Sequence, residues 1–366
     1  MIIFGAGVVG EALFYACRKN NIRIDCFCDN NTSKKELLGL KVVRPSEAKK
    51  GQEFIIASTY IKDIVAQLKL LGHENWHTCN EFLTDFNVFD YTYSVPTDFA
   101  VYVINTCMLC QRKYVDKDGL FLHTVDIMIT EKCTLRCRDC SNLMQYYKHP
   151  ANCDTVELFD SIDKLCSIVD EVNDFRVIGG EVFLNKDWYL IVNRLVDKNK
   201  ARKILIYSNG TIIPRNIDKM KTTNVLFLIT DYGKDLSRKK DDMIKLLKKL
   251  NISYHSFEAK GWTNCAEIAK HERSEKENLD LFSRCCANDL LTLSNGRLYK
   301  CPFAANLSRL NVIDVDYVEL NDKERIKNFI GKRISLAACD YCNGRSWDAP
   351  HITPAIQAKS PVELHE

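Results

Sequence analysis

Cys133, Cys137 and Cys140 form a C-x3-C-x2-C run, and this run limits what the chain can be. The spacing brings three thiolates within reach of one cubic iron–sulfur cluster and leaves the fourth iron without a protein ligand. Electron-transfer clusters of this kind usually take four cysteines. A three-cysteine site keeps one iron open for a substrate or cofactor to chelate. The apolar segment before the run, Val125 to Thr130, reads as a buried strand, so the cysteines occupy the loop at its C-terminal end. In an α/β barrel that end is the catalytic face.

Further strands follow in order. Asp174 to Glu181 reads as a strand ending in Gly-Gly-Glu, and Ile204 to Thr211 as a strand ending in Ser-Asn-Gly-Thr. Another, Val225 to Thr230, ends in Asp231-Tyr232-Gly233. Each polar element sits just past a strand, on the same expected face. With the cysteine run, these motifs resemble the radical S-adenosylmethionine superfamily. One position departs from the family's commonest pattern. The residue before the third cysteine is often aromatic, and here it is Asp139, a change that bears on packing near the adenine and removes no ligand.

The resemblance implies an α/β fold with a partial (β/α)6 radical SAM barrel over 121–270. Cys133, Cys137 and Cys140 would hold a [4Fe–4S] cluster, and the amino and carboxylate groups of S-adenosylmethionine would chelate its open iron. Gly179 and Gly180 would keep side chains away from the methionine amine. Glu181 would accept from that ammonium or from the ribose, and Ser208 and Asn209 would bind ribose or carboxylate. Electron transfer then gives a 5′-deoxyadenosyl radical that removes hydrogen from an unactivated C–H bond. The cofactor supplies that hard step; the protein orients the atoms and excludes water.

Residues 1–85 read as a small Rossmann-like unit. Met1 to Phe4 is a buried strand, and Gly5-Ala6-Gly7-Val8-Val9-Gly10 leads at once into a helix. Gly5, Gly7 and Gly10 allow a tight turn and close approach of a phosphate to the helix N-terminus. A second strand, Ile22 to Cys28, ends in Asp29, where the dinucleotide fingerprint places a ribose-binding acid. The unit resembles short Rossmann-like domains joined to enzymes of surface-glycan and sugar biosynthesis, which carry a similar Asp-Asn element (here Asp29-Asn30-Asn31). That resemblance implies a UDP-type nucleotide; the alternative is a domain that only packs against its neighbour. Residues 86–120, rich in aromatics and without clear periodicity, read as a connector.

Residues 271–366 hold a second cysteine constellation. Cys286 precedes Gly296 by nine intervening residues, Cys301 follows that glycine after four more intervening residues, and Cys339-Asp340-Tyr341-Cys342 follows. This resembles the start of the SPASM pattern. No cysteine follows Cys342, so a complete two-cluster SPASM domain is excluded and the shortened Twitch version, with one auxiliary [4Fe–4S] cluster, is implied. Cys285 fits the spacing as well as Cys286, so the first ligand stays open. The alternative is a zinc site made from two cysteine pairs.

Seventeen cysteines in 366 residues do not suit a disulfide scaffold, which is short and poor in core residues. They suit a reduced, cytoplasmic iron–sulfur protein. Cys17, Cys26, Cys28, Cys79, Cys153 and Cys166 read as core thiols, and Cys107 and Cys110 as an isolated pair in the connector. The length suggests two or three domains. A net charge of +3 is too small to argue for nucleic acid or an anionic membrane. No run reaches the length of a membrane span, and the chain opens in an apolar strand without a basic leader, so no signal peptide is expected.

Twitch enzymes resembling this chain act on cyclitols and aminoglycoside sugars. The implied partners are therefore a sugar-type small molecule and a reductant such as flavodoxin or ferredoxin. An epimerase would also need a hydrogen donor, for which Cys265 is the candidate. Peptide maturation is the alternative, but those enzymes commonly carry a leader-binding domain where this chain has its Rossmann-like unit. A non-enzymatic iron–sulfur structural or sensor protein is a further alternative, and a vacant iron argues against it.

Overall fold

The structure is a computed structural model that describes residues 1–31, 33–331, 334–346 and 348–363. The chain divides into two compact units, Met1–His123 and Thr124–Glu366.

The first unit carries β1 (Ile2–Phe4), α1 (Val8–Lys19), β2 (Cys26–Cys28), β3 (Glu36–Leu37), β4 (Leu40–Val43), β5 (Phe54–Ile56), α2 (Ile61–Leu70), β6 (Trp76–Thr78), α3 (Asn80–Leu83) and α4 (Thr97–Val115). Its sheet has the order β3-β4-β2-β1-β5-β6. β1 pairs in parallel with β2 and β5, β2 with β4 and β5 with β6, and β3 pairs antiparallel with β4. Ile2, Ile3, Phe54, Ile55 and Ile56 are all fully buried. Continuous burial is what a parallel strand covered on both faces requires.

Two expectations change here. The second strand is shorter than Ile22–Cys28 and covers Cys26–Cys28. The segment 86–120 is no mere connector, because α4 spans 19 of its residues. Ala100, Ile104, Cys107 and Met108 of α4 join the core formed by Leu13, Ala16 and Phe27. Gln111 of the same helix donates to the Ile56 carbonyl and accepts from Cys79 N–H, at 2.8 and 2.7 Å. The boundary expected at 85 therefore falls at 123. Of the isolated pair Cys107 and Cys110, the Cys107 sulfur lies in the core, 3.8 Å from that of Cys79.

β7 (Phe121–Thr130) spans the division between His123 and Thr124, and the second unit continues with α5 (Thr155–Ile168), β8 (Glu171–Gly179), α6 (Trp188–Lys198), β9 (Ala201–Ser208), β10 (Val225–Asp231), α7 (Lys240–Lys249), β11 (Tyr254–Glu258) and β12 (Trp262–Thr263). Then come α8 (Glu275–Ser283), β13 (Leu290–Ser294), β14 (Arg297–Tyr299), α9 (Pro302–Arg309), β15 (Tyr317–Glu319), α10 (Lys323–Gly331) and β16 (His351–Ile352). The main sheet has the order β11-β10-β9-β8-β7-β13-β14-β15. β9 pairs in parallel with β8 and β10, β10 with β11, and β7 with β13.

Alternating strands and helices set β7 to β11 side by side in chain order, as βα units do. The sixth parallel strand, β13, comes from the segment expected as a separate domain and enters on the other edge of β7. Leu290 to Leu293 align with Thr124 to Ile127. No division falls at 270, because that pairing makes the C-terminal strands part of the same sheet and the same compact unit.

Candidate functional site

The strand β7 is buried along its whole length and delivers its C-terminal end to the cysteine loop. The ends of β7 and β8 lie side by side, with Gly180 N–H donating to the Thr130 carbonyl at 3.0 Å. Glu181 N–H then donates to the Lys132 carbonyl at 2.8 Å. The glycines serve this approach. A Cβ on Gly179 would lie 2.2 Å from the Thr130 oxygen, and one on Gly180 2.2 Å from the Lys132 oxygen and 2.8 Å from Cys133 Cβ. Their first role in this structure is thus to let two backbones meet, and they set where Cys133 can sit.

Glu181 is fully buried. Its carboxylate accepts from Ser208 Oγ at 3.1 Å, from Asn209 N–H at 2.8 Å and from Phe183 N–H at 3.4 Å. Burial pushes its carboxyl up to about 7, against the pull of those donors. Asn209 reaches back to the cysteine loop, donating to Thr134 Oγ1 at 3.1 Å and to Cys133 Sγ at 3.6 Å. Residues expected separately from three strand ends are thereby joined: Cys133, Glu181, Ser208 and Asn209 form one connected group.

Burial raises the thiols of Cys133, Cys137 and Cys140; the charge of Cys140 adds to the rise at Cys133 and Cys137, and that of Cys265 to the rise at Cys140. Soft thiol donors on one loop, with a backbone fitted to them, suit an iron–sulfur cluster. Among the described residues no three His, Cys, Asp or Glu side chains converge tightly enough to hold a single metal ion.

Several residues at this site have no sequence signature. Gln357 donates to Cys137 Sγ at 3.4 Å, and its side-chain oxygen accepts from Arg136 N–H at 2.8 Å. Arg138 N–H donates to the Ile356 carbonyl at 2.7 Å, and Ala358 N–H to the Arg136 carbonyl at 2.6 Å. A segment near residue 357 thus lies on the cysteine loop like an added strand. Asn142 donates to the Gly179 carbonyl at 3.2 Å. Tyr232 lies close enough that, after burial, the charges of Cys137, Cys140 and Cys133 raise its hydroxyl further. Only Tyr232 had a signal, its position just past β10. Asp139, the departure from the family pattern, pairs with Arg138 at 3.0 Å.

The second constellation also gathers. Cys285, Cys301, Cys339 and Cys342 line one cavity with Leu281, Phe303 and Arg345. Burial lifts Cys301 up to about 12 and Cys342 up to about 11. Cys286 does not line the cavity; its backbone N–H donates to the Arg345 carbonyl at 2.7 Å. Hydrogen bonding with Cys285 lowers its thiol against the effect of burial, and the charges of Arg345 and Arg176 add to the lowering. Cys265 is buried in the same core as Cys301, Cys339 and Cys342. Its charge acts on both Cys140 and Cys342, so it lies within electrostatic reach of both cysteine groups.

In the first unit Gly5, Gly10 and Asp29 meet at the turn between β1 and α1. A Cβ on Gly10 would lie 2.1 Å from the Gly5 oxygen, whereas nothing stands within 4 Å of one on Gly7. Asp29 accepts from Ala6 N–H at 2.7 Å and from Asn31 N–H at 2.8 Å, so its carboxylate pins the glycine turn. No helix among the described residues is long and apolar enough to cross a membrane.

Residues 127–259 match the Radical SAM superfamily, so the second unit carries a radical SAM domain. GTP 3′,8-cyclase of Synechocystis sp. is 24% identical over 127 residues, 34% of this chain and 38% of the cyclase. The Campylobacter jejuni GTP 3′,8-cyclase is 25% identical over 148 residues, 40% of this chain and 39% of the cyclase. The chain thus spans well under half the length of these curated relatives. Among solved structures, BtrN in complex with AdoMet and 2-DOIA aligns over 62% of this chain and 94% of its own, with 13% identity and a TM-score of 0.40. Streptococcus suis SuiB bound to S-adenosylmethionine aligns over 76% and 60%, with 13% identity and a TM-score of 0.33.

Proposed function

We propose that the chain is a radical S-adenosylmethionine enzyme acting on a sugar, nucleotide-sugar or cyclitol-type substrate, by oxidation or epimerisation. The observation that carries the reading is the meeting of Cys133, Cys137 and Cys140 with the Glu181–Ser208–Asn209 network at the ends of three adjacent strands. When bound there, a [4Fe–4S] cluster would supply the electron that cleaves S-adenosylmethionine to methionine and the 5′-deoxyadenosyl radical. Glu181 is the acceptor available for the cofactor's ammonium or ribose hydroxyls. Ser208 and the Asn209 backbone hold that carboxylate in place, and Asn209 ties it to the cysteine loop. Water is excluded at Glu181 by complete burial.

The cavity lined by Cys285, Cys301, Cys339 and Cys342 supports an auxiliary cluster, with Cys285 rather than Cys286 as its first ligand. Such a cluster would serve as electron acceptor in a net oxidation, and Cys265, buried in the same core, would be the thiol that returns hydrogen in an epimerisation. The glycine turn and Asp29 of the first unit favour a nucleotide-linked substrate, and similarity to GTP 3′,8-cyclases keeps nucleotides among the candidates.

Anaerobically reconstituted protein given dithionite and S-adenosylmethionine tests the reading. It should hold about eight irons, four per cubic cluster, and release 5′-deoxyadenosine. Replacing Cys133, Cys137 and Cys140 with Ala should leave about four irons and abolish that release. Zinc in the C-terminal site with only four irons in total would remove the auxiliary cluster, and no 5′-deoxyadenosine from wild type would remove the enzyme assignment.

A further inference from the structure

The cavity of the second cysteine group holds a charged residue that no cysteine spacing marks. Arg345 lies three residues after Cys342 and lines the cavity together with Cys285, Cys301, Cys339 and Cys342. Its backbone is pinned beside the first of them. Ser346 bridges Cys285 in antiparallel fashion, and the Arg345 carbonyl accepts from Cys286 N–H at 2.7 Å. The guanidinium is thus carried on a piece of chain that lies against the cysteine loop.

A second arginine at the site shows what is different about this one. Arg273 donates through Nη1 to the carbonyls of Cys339 and Cys342 at 2.7 and 3.0 Å, so its charge is engaged by the turn that carries two of the cysteines. Arg345 Nε is buried and has no hydrogen-bond partner among the described residues. Burial opposes the Arg345 charge, and Cys265, Cys286, Cys285 and Cys342 are the groups that favour it, in that order. Asp126 feels the same charge, but after that of Arg176, with which it forms its ion pair at 2.8 Å.

Buried polar groups are nearly always paired, and a buried charge is costly unless an opposite charge meets it. Cysteines bind metal as thiolates. A cluster held by these cysteines would place negative sulfur on the wall that Arg345 shares and so give the guanidinium its counter-charge. The backbone is arranged for the same load. Ala287 N–H donates to Cys285 Sγ at 3.4 Å, Ala304 N–H to Cys301 Sγ at 3.4 Å and Gly344 N–H to Cys342 Sγ at 3.3 Å. Net charge and hydrogen bonds to the sulfurs set a cluster's potential. Positive charge beside it favours the reduced form, which is the more negative one.

We propose that Arg345 is the cationic partner of the auxiliary cluster and raises its reduction potential, which makes the cluster a readier electron acceptor. The proposal rests on reading Cys285, Cys301, Cys339 and Cys342 as that cluster's ligands. Arg345 acts through the cluster and is a positioning residue. The couple takes up one electron, and the guanidinium keeps its proton in both states.

The test uses the full chain with Cys133, Cys137 and Cys140 replaced by Ala, reconstituted anaerobically so that the loop cluster is absent; its iron and zinc contents are measured first. The midpoint potential of this parent is read by dithionite titration with mediator dyes, followed by visible absorbance and electron paramagnetic resonance. At the effective dielectric of a protein interior, a unit charge beside the cluster changes a one-electron equilibrium about tenfold or more. Arg345→Met and Arg345→Gln should therefore lower the midpoint by about 59 mV or more, the equivalent of that tenfold for one electron. Arg345→Lys should stay nearer to the parent than to Arg345→Met. Loss of iron from Arg345→Met and Arg345→Gln with iron kept in Arg345→Lys would show the same dependence on charge, read as binding. An unchanged potential in Arg345→Met or Arg345→Gln, an Arg345→Lys protein that behaves as Arg345→Met does, or loss of iron from all three would overturn the proposal. Zinc or no metal in the parent sinks the auxiliary-cluster reading itself, whereas iron with a potential indifferent to Arg345 sinks this inference alone.

Discussion

Replacing Gly180 with Ala should disturb the cysteine loop before any cofactor is involved. The added Cβ would stand 2.2 Å from the Lys132 carbonyl oxygen, 2.6 Å from its carbon and 2.8 Å from Cys133 Cβ. A carbon rests against a carbonyl oxygen at about 3.3 Å or more, so the two backbones must part by about 1 Å. Overpacking of this kind costs about 1–3 kcal/mol, and ligand constellations tolerate only about 0.5 Å of displacement. The loss should therefore appear twice: as about 1–3 kcal/mol in urea denaturation of the iron-free protein, and as about four fewer irons per chain after anaerobic reconstitution. A background carrying Cys339→Ala and Cys342→Ala isolates the loop's own cluster. Gly7→Ala is the control, because nothing lies within 4 Å of its Cβ and it should change stability by no more than about 0.5 kcal/mol. A Gly180→Ala protein with wild-type stability and full iron would refute the reasoning, and the glycine would then exist for the cofactor alone.

The two candidates for the first auxiliary ligand should separate cleanly: Cys285→Ser should lose about four irons and Cys286→Ser should keep them, as read by iron content. Glu181 gives a pH signature. Its folded value, raised by burial from 4.5 to about 7, contributes stability that is fully present below the unfolded value and is lost as pH rises through 7. Iron-free wild type should lose on the order of 2–3 kcal/mol more than Glu181→Gln between pH 5 and pH 8 in urea melts, and equal slopes would contradict this. In the first unit, Asp29→Ala should cost about 1–2 kcal/mol by releasing the Ala6 N–H, and it should weaken UDP in calorimetry if the glycine turn receives a pyrophosphate. UDP affinity unchanged by Asp29→Ala would leave the carboxylate a purely structural pin.

The cysteine loop and the strand ends around it could be read from the chain because strand, turn and polar residue follow one another locally. Glu181, Ser208 and Asn209 each lie within a few residues of a recognisable apolar run, and the parallel sheet brings them together. The helix α4 was hidden for a different reason. Its aromatic and thiol residues, such as Tyr102, Cys107 and Cys110, are spread around it with polar ones, so no helical stripe stands out. The placement of β13 beside β7 was equally invisible, since a pairing between residues 124–127 and 290–293 leaves no local mark. Nothing local marks Asp126 and Arg176 as partners; only their 2.8 Å approach between β7 and β8 joins them. Cys285 and Cys286 could not be told apart by spacing, because their separation by one residue turns them to different sides of the chain.

The segment that lies on the cysteine loop has a consequence for how the protein is made. Gln357 and Cys137 are 220 positions apart, and synthesis runs at about 5–20 residues per second. The loop therefore leaves the ribosome roughly 10 to 45 seconds before its cover exists. During that interval Cys137 has no amide at its sulfur, and the backbone of Arg136 and Arg138 has no partner strand. If the loop holds the proposed cluster, a cluster delivered early would meet an open loop, and one delivered late would have to pass beneath a strand already in place.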